Sequence, residues 1–273
     1  MASSKDVIHS KLWQEESEPG DPFTATACYC SGYDVYGELL HKASYVDYLY
    51  LLFRRERPLP HVARALEILT IALGNPGPRD PSVHAAMSAG VGGSPAAAAL
   101  MAALAAGAGS SGGAREVLLA MEVWTRCGCD LNAWQTAIAS PPVATRQLVW
   151  PDIDHFPGFS PYARDVSIPV RQTLEALADC LPDGCARWLL DHRQAIENLV
   201  GLSLAMPGVA AAALIDMGIT PEAGEMLTLL LRLPGAAAHA LEQGEMGFRR
   251  FPFFSLDISN DPGPAMPKEG TAR

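Results

Sequence analysis

Near the C-terminal end of the chain, Arg232-Leu233-Pro234-Gly235-Ala236-Ala237-Ala238-His239-Ala240-Leu241-Glu242-Gln243 sets a cation, a kink, an imidazole and an acid–amide pair at fixed offsets. A guanidinium offers a fork of N–H donors that suits a carboxylate. An imidazole changes charge near neutral pH and can carry a proton. Arg232 lies seven residues before His239, about two helical turns. Pro234 and Gly235 between them are expected to break the helix, so the helix before them should end at about Arg232.

Other residues could do acid–base work. His84 follows a Pro-Ser-Val start, and His155 stands three residues before Gly158. His239 has a second reading, a satisfied histidine on an apolar helix face. Asp216 closes an apolar run and reads as a helix-end acid facing solvent. The six cysteines form two Cys-x-Cys pairs, Cys28/Cys30 and Cys127/Cys129, and one wider pair, Cys180/Cys185. Structural zinc sites favour knuckles of Cys-x2-4-Cys with a second pair nearby. These pairs are far apart, so no metal site is expected, and reduced, mostly buried thiols are.

The elements that must hold these residues are helical. Ser44-Tyr45-Val46-Asp47 is a capping-box pattern opening an apolar helix. Pro58 and Pro60 end it and start the next, over about 60–73. Residues 74–78 (Gly-Asn-Pro-Gly-Pro) form a break. An alanine-rich helix follows Ser94-Pro95, and Ser110-Ser111-Gly112-Gly113 is a flexible joint. Helices are expected near 114–126, 131–139, 167–181 and 184–199. Thr220-Pro221 is an N-cap followed by proline at the first helical position. Strand-type alternation is scarce, so the fold class is all-α. Residues 1–25 are polar and read as a flexible arm, and 257–273 as a flexible tail. The stretch 115–205, rich in charge and tryptophan (Trp124, Trp134, Trp150, Trp188), reads as a small helical domain set into a larger one made of 26–114 and 206–256.

Composition narrows the function. The chain has 273 residues, enough for a full core. It carries 20 basic and 30 acidic residues, a net charge of −10, which argues against nucleic acid or an anionic membrane as partner. The apolar run Ala96–Ala108 is too short to span a bilayer. Residues 1–14 show no apolar leader core, so a cytoplasmic location is expected.

Several segments, in order over residues 32–252, resemble the citrate synthase and citryl-CoA lyase superfamily. They are Gly32-Tyr33-Asp34-Val35, the block Leu39–Leu52, Ser111-Gly112-Gly113-Ala114, Phe156-Pro157-Gly158-Phe159-Ser160-Pro161, Ile168-Pro169-Val170-Arg171, Pro207-Gly208 with its apolar run to Asp216-Met217, and the Arg232–Gln243 segment. The resemblance implies a large helical domain with a smaller one inserted, dimerisation through core helices, and carbon–carbon bond chemistry beside a CoA thioester. In that chemistry an aspartate removes a proton from the acyl methyl group. One histidine hydrogen-bonds the enol, another polarises the acceptor ketone, and arginines hold its carboxylates.

The resemblance places Ser111 and Pro161 where the family has histidines, Pro207 where it has the aspartate, and Pro76 at an upstream histidine. Proline's ring neither accepts a proton nor donates a hydrogen bond, and a positioned acid or base contributes roughly 10²–10⁴ in rate. Arg171 and Arg232 fall at carboxylate-binding positions, and Arg249 or Arg250 resembles an arginine that reaches a partner subunit's site. Surface or interdomain ion pairs are the alternative for all of them. His239 joins the substrate-binding set by the same resemblance.

The first expectation is therefore a catalytically degenerate member, acting as a non-catalytic or regulatory subunit. It would form a homodimer, or a heterodimer with an active paralogue. It would need no cofactor, with a CoA thioester or a di- or tricarboxylate as ligand. The second is an active lyase or synthase whose acid–base groups are His155 or His84, working with Arg171 and Arg232. The third is a purely structural helical protein.

Overall fold

The computed structural model describes residues 8–140 and 155–254. The expected tail 257–273 and Trp150 lie outside the described residues. Two strands, β1 (Trp13–Glu18) and β2 (Asp21–Cys30), open the chain, with a short β3 (Tyr33–Asp34). A π-turn over Val35–Leu39 leads to α1 (Leu40–Lys42), α2 (Tyr45–Arg54), α3 (Pro60–Gly74), α4 (Pro81–Val91), α5 (Ala96–Gly107), α6 (Ala114–Cys127) and α7 (Leu131–Ala139). Then come β4 (Phe159–Ser160), α8 (Ile168–Cys180), α9 (Cys185–Val200), β5 (Ser203–Leu204), α10 (Met206–Asp216) and α11 (Pro221–Met246), before a 3₁₀ turn over Phe248–Arg250. The architecture is helical, as expected.

The flexible arm is the first correction. Most of it is a β-hairpin. Trp13 pairs with Cys30 and Glu15 with Cys28, with register shifts around Ser17. Gly20, at φ +90°, makes the turn. The run Thr24–Cys30 alternates threonine, tyrosine and small residues that suit a strand, and polarity alone concealed it. The hairpin is fastened at its base, where Cys30 is buried with Leu39 and Leu51.

Helix boundaries follow local chemistry. The Ser44 hydroxyl accepts the Asp47 N–H at 3.1 Å, and the Asp47 carboxylate accepts the Ser44 N–H at 2.8 Å, closing the capping box. Arg55 ends α2 in the left-handed region, at φ +61°. Thr220 caps α11 through the Ala223 N–H at 3.4 Å.

The second correction concerns α11. It does not stop at Arg232. It runs 26 residues, through Pro234, to Met246. Proline removes one backbone hydrogen bond, but packing on both sides of it holds the helix. Gly235 lies so close to the end of α3 that a Cβ there would sit 2.5 Å from the Gly74 carbonyl oxygen. Upstream, Leu227 and Leu231 belong to the main core, while downstream Ala236 and Ala240 belong to a second cluster with Val83, Ala86, Met87, Ala99 and Ala103. That second cluster lies between α4, α5 and α11.

The main core takes residues from both sides of the boundaries expected at 114/115 and 205/206. Leu66, Met121, Leu177, Leu189, Leu214 and Leu227 all lie in it. On one flank, Trp124, Trp134 and Trp188 pack ring to ring, with Trp124 and Trp134 4.8 Å apart edge to face. Among the described residues no helix is long and apolar enough to cross a membrane.

Candidate functional site

Two chain segments, the turn at Gly112 and the loop from His155 to Gly158, converge on one buried carboxylate. Glu116 sits in the first turn of α6, on the face it shares with Ala120 and Trp124, and is only 2% exposed. Its Oε2 accepts the Gly112 N–H at 2.5 Å and its Oε1 accepts the Gly158 N–H at 3.0 Å. The Nε2 of His155 stands 3.3 Å from that same Oε1. A carboxylate taken from water costs several kcal/mol unless its lone pairs are met. Here two backbone amides and a ring nitrogen meet them. Glu116 thereby joins the 112 turn to the 155–160 loop.

Glycine permits these approaches. Gly113 folds back on Gly109, whose carbonyl oxygen a Cβ would strike. Gly158 has φ +88°, and a Cβ there would lie 2.8 Å from the Cα of Gly208 at the start of α10. The loop continues into β4, which pairs with β5 through Phe159 and Leu204. The Ala205 N–H donates to the Gly158 carbonyl at 3.0 Å. Pro207 is buried in the first turn of α10, where its missing N–H costs nothing.

Arg232 approaches the same turn from α11. Its Nη1 donates to the Gly112 carbonyl at 3.0 Å, and its Nη2 pairs with the carboxylate of Asp80. Asp80 caps α4, taking the Ser82 N–H at 2.9 Å on its other oxygen. Arg232 is 8% exposed, and its Nε is buried without a partner among the described residues. The cavity beside it, between Ser82, Gly107 and Leu229, is water-sized.

The remaining expected site residues are dispersed. His84, half-buried on α4, lies against the rings of Phe251 and Phe254, at 5.5 and 6.4 Å. Arg171 is exposed on α8, 3.7 Å from Glu175. Arg250 is exposed in the 3₁₀ turn. His239 is half-buried, with Nδ1 3.0 Å from Glu242 Oε2 and Nε2 3.1 Å from Asn75 Oδ1. That Asn75 oxygen also accepts the Gly77 N–H at 3.1 Å, so the histidine joins α11 to the break after α3. Ser111 and Pro161 are exposed. The structure thus brings together His155, Arg232 and the turns carrying Ser111 and Pro207, leaves Arg171 and His84 with other partners, and leaves Arg250 exposed in the 3₁₀ turn.

Asp216 differs from its reading as a solvent-facing acid. It is half-buried, and its oxygens accept the Cys185 and Ala186 N–H groups at 2.5 and 2.8 Å, capping α9 from another helix. Burial pushes its carboxyl above the ordinary range, against the lowering effect of those two hydrogen bonds.

Sequence reasoning missed Glu116 and Asp80. Glu116 occupies an apolar stripe, four residues before Ala120 and eight before Trp124, where a charge signals a buried partner. Asp80-Pro81 repeats the cap-then-proline signal used at Thr220-Pro221. Among the described residues no group of three His, Cys, Asp or Glu side chains gathers as a metal would require.

Three solved structures are similar to this chain in fold. The citryl-CoA lyase of Hydrogenobacter thermophilus superposes with a TM-score of 0.70 at 19% identity, over 96% of this chain and 98% of that one. The ATP citrate lyase of Methanothrix soehngenii, solved with citrate and coenzyme A, gives 0.69 at 16% identity. An aspartate-substituted ATP citrate lyase of Methanosaeta concilii, solved with (3S)-citryl-CoA, gives 0.67 at 15% identity. This chain spans 43% of the length of each of those two lyases. At such identities the likeness establishes the fold, which is citryl-CoA lyase-like. No family model and no curated protein matches the sequence.

Proposed function

We propose that this chain is a catalytically degenerate citrate synthase-like protein, acting as a non-catalytic or regulatory subunit in the cytoplasm. It keeps a fold that elsewhere makes or cleaves carbon–carbon bonds beside a CoA thioester. One observation carries the reading. The guanidinium of Arg232 is spent inside the protein, on Asp80 and the Gly112 carbonyl. A carboxylate ligand would have to displace both. Pro207, Pro161 and Ser111 stand where the resemblance calls for an acid or an imidazole, and the Glu116 carboxylate is occupied by backbone amides. The associated partner would be a second copy or an active paralogue, with CoA or a di- or tricarboxylate as ligand.

The test uses the purified chain, alone and with any similar-sized protein that co-purifies. Thiol release from acetyl-CoA with oxaloacetate, and acetyl-CoA formation from citryl-CoA, should be absent for the chain alone. A rise in melting temperature with CoA or citrate would show that ligand binding persists. Turnover by the chain alone at rates typical of enzymes would overturn the reading.

The Glu116–His155 pair favours a second reading, an active CoA-thioester enzyme with relocated acid–base groups. A carboxylate against an imidazole is a common way to orient a general base. Turnover that disappears in His155→Ala, while the variant keeps the helical circular-dichroism spectrum, would establish it.

A further inference from the structure

The six cysteines are free, and two that are not paired along the sequence, Cys129 and Cys185, lie close together in space. Cys129, after the left-handed Gly128 that ends α6, has its Sγ 3.9 Å from the Sγ of Cys185, in the first turn of α9. Their nearer cysteines along the chain are Cys127, which is buried, and Cys180. Cys129 is exposed, while Cys185 is half-buried with its thiol against the Asp216 carboxylate. A bonded pair needs its sulfurs about 2 Å apart, and a turn of the exposed Cys129 side chain is the cheapest way to close the gap.

We propose that Cys129 and Cys185 form a dithiol modification site, oxidised by a hydroperoxide to an intramolecular disulfide. The Cys129 thiolate attacks the terminal peroxide oxygen. The O–O bond breaks, water or an alcohol leaves, and Cys129 becomes a sulfenic acid. The sulfur of Cys185 then attacks the Cys129 sulfur. The S–S bond forms, the S–O bond breaks, and a water leaves with the Cys185 proton, for which Asp216 is the adjacent acceptor. Two electrons pass from the two thiols to one peroxide.

The division of labour follows from the surroundings. Burial, followed by the nearby Asp216 charge, pushes the Cys185 thiol far up, so the exposed Cys129 meets the peroxide first and Cys185, which must give up its proton to react, follows it. The bond would fasten the α6–α7 turn to the start of α9, the end that Asp216 already caps.

The experiment treats the reduced full-length protein with hydrogen peroxide, then counts thiols after denaturation and maps the cross-link by mass spectrometry. The expected result is the loss of two thiols per chain, a mass lower by two hydrogens, and one cross-link joining residues 129 and 185. Cys129→Ser and Cys185→Ser should each abolish it. Cys127→Ala and Cys180→Ser should leave it. A cross-link that survives Cys129→Ser, or oxidation that yields only intermolecular disulfides or over-oxidised Cys129, would overturn the proposal. Cys129 is exposed, so its variant stays folded and keeps the test decisive even if Cys185→Ser does not.

Discussion

Replacing Glu116 by glutamine tests the central junction. Both carboxylate oxygens accept a backbone N–H, from Gly112 and from Gly158. Glutamine offers one acceptor oxygen and turns an NH₂ group toward the other donor. The variant exchanges one charge-assisted hydrogen bond for a neutral one and leaves a second amide unsatisfied at about 1–3 kcal/mol. A loss of about 3 kcal/mol follows, and with 2–4 °C per kcal/mol for a domain of this size the melting temperature should fall by roughly 6–12 °C. Urea unfolding measures the free energy. Amide exchange gives an independent readout, because Gly112 and Gly158 should lose protection well before the middle of α6 does. A loss under about 1 kcal/mol, with both glycine amides still protected, would refute the assignment of Glu116 as a structural clamp. Unchanged stability with lost turnover would transfer the residue to the alternative, catalytic reading.

Other substitutions probe the neighbouring contacts. Gly158→Ala would place a methyl against the Gly208 Cα in a left-handed backbone, and should cost about 2 kcal/mol or more in urea unfolding. Arg232→Met leaves Asp80 without its cation and should cost about 3–5 kcal/mol, whereas Arg232→Met with Asp80→Asn should recover part of that loss, a coupling that a double-mutant cycle reads directly. Asp216 supplies a pH signature. Its folded-state pKa lies above the ordinary 3.8, so the native chain holds this proton longer than the unfolded chain does. Its contribution to stability is present below 3.8 and is lost as pH rises through the raised folded value. Asp216→Asn should flatten that part of the stability–pH curve, and an unchanged slope would count against the burial argument.

Much of the helical frame was legible because its punctuation is local. The Ser44–Asp47 box, Thr220-Pro221 and the break at residues 74–78 are each read within a few residues, and each falls where expected. The hairpin was hidden because its turn and strand signals sit among glutamates whose polarity suggests a loose chain. Pro234 misled for the opposite reason. Its local rule is sound, but contacts with residues 74–80, far away in sequence, override it. The site was only half legible. Arginine and histidine positions follow from a resemblance, but whether a guanidinium faces a ligand or an internal acid depends on Asp80, 152 residues away. Glu116 carried a readable sign, a charge in an apolar stripe, and its partners at 112 and 158 did not.

Pro234 removes the backbone bond that would tie its own position to Leu230, so α11 is least stiff just beyond Arg232. One half of the rod is embedded with α6, the other with α4 and α5. The braces at this soft point, Arg232 to Asp80 and Gly235 against Gly74, attach to the connection between α3 and α4. Any flexing of one half against the other would therefore strain that connection and, through Gly112, the start of α6.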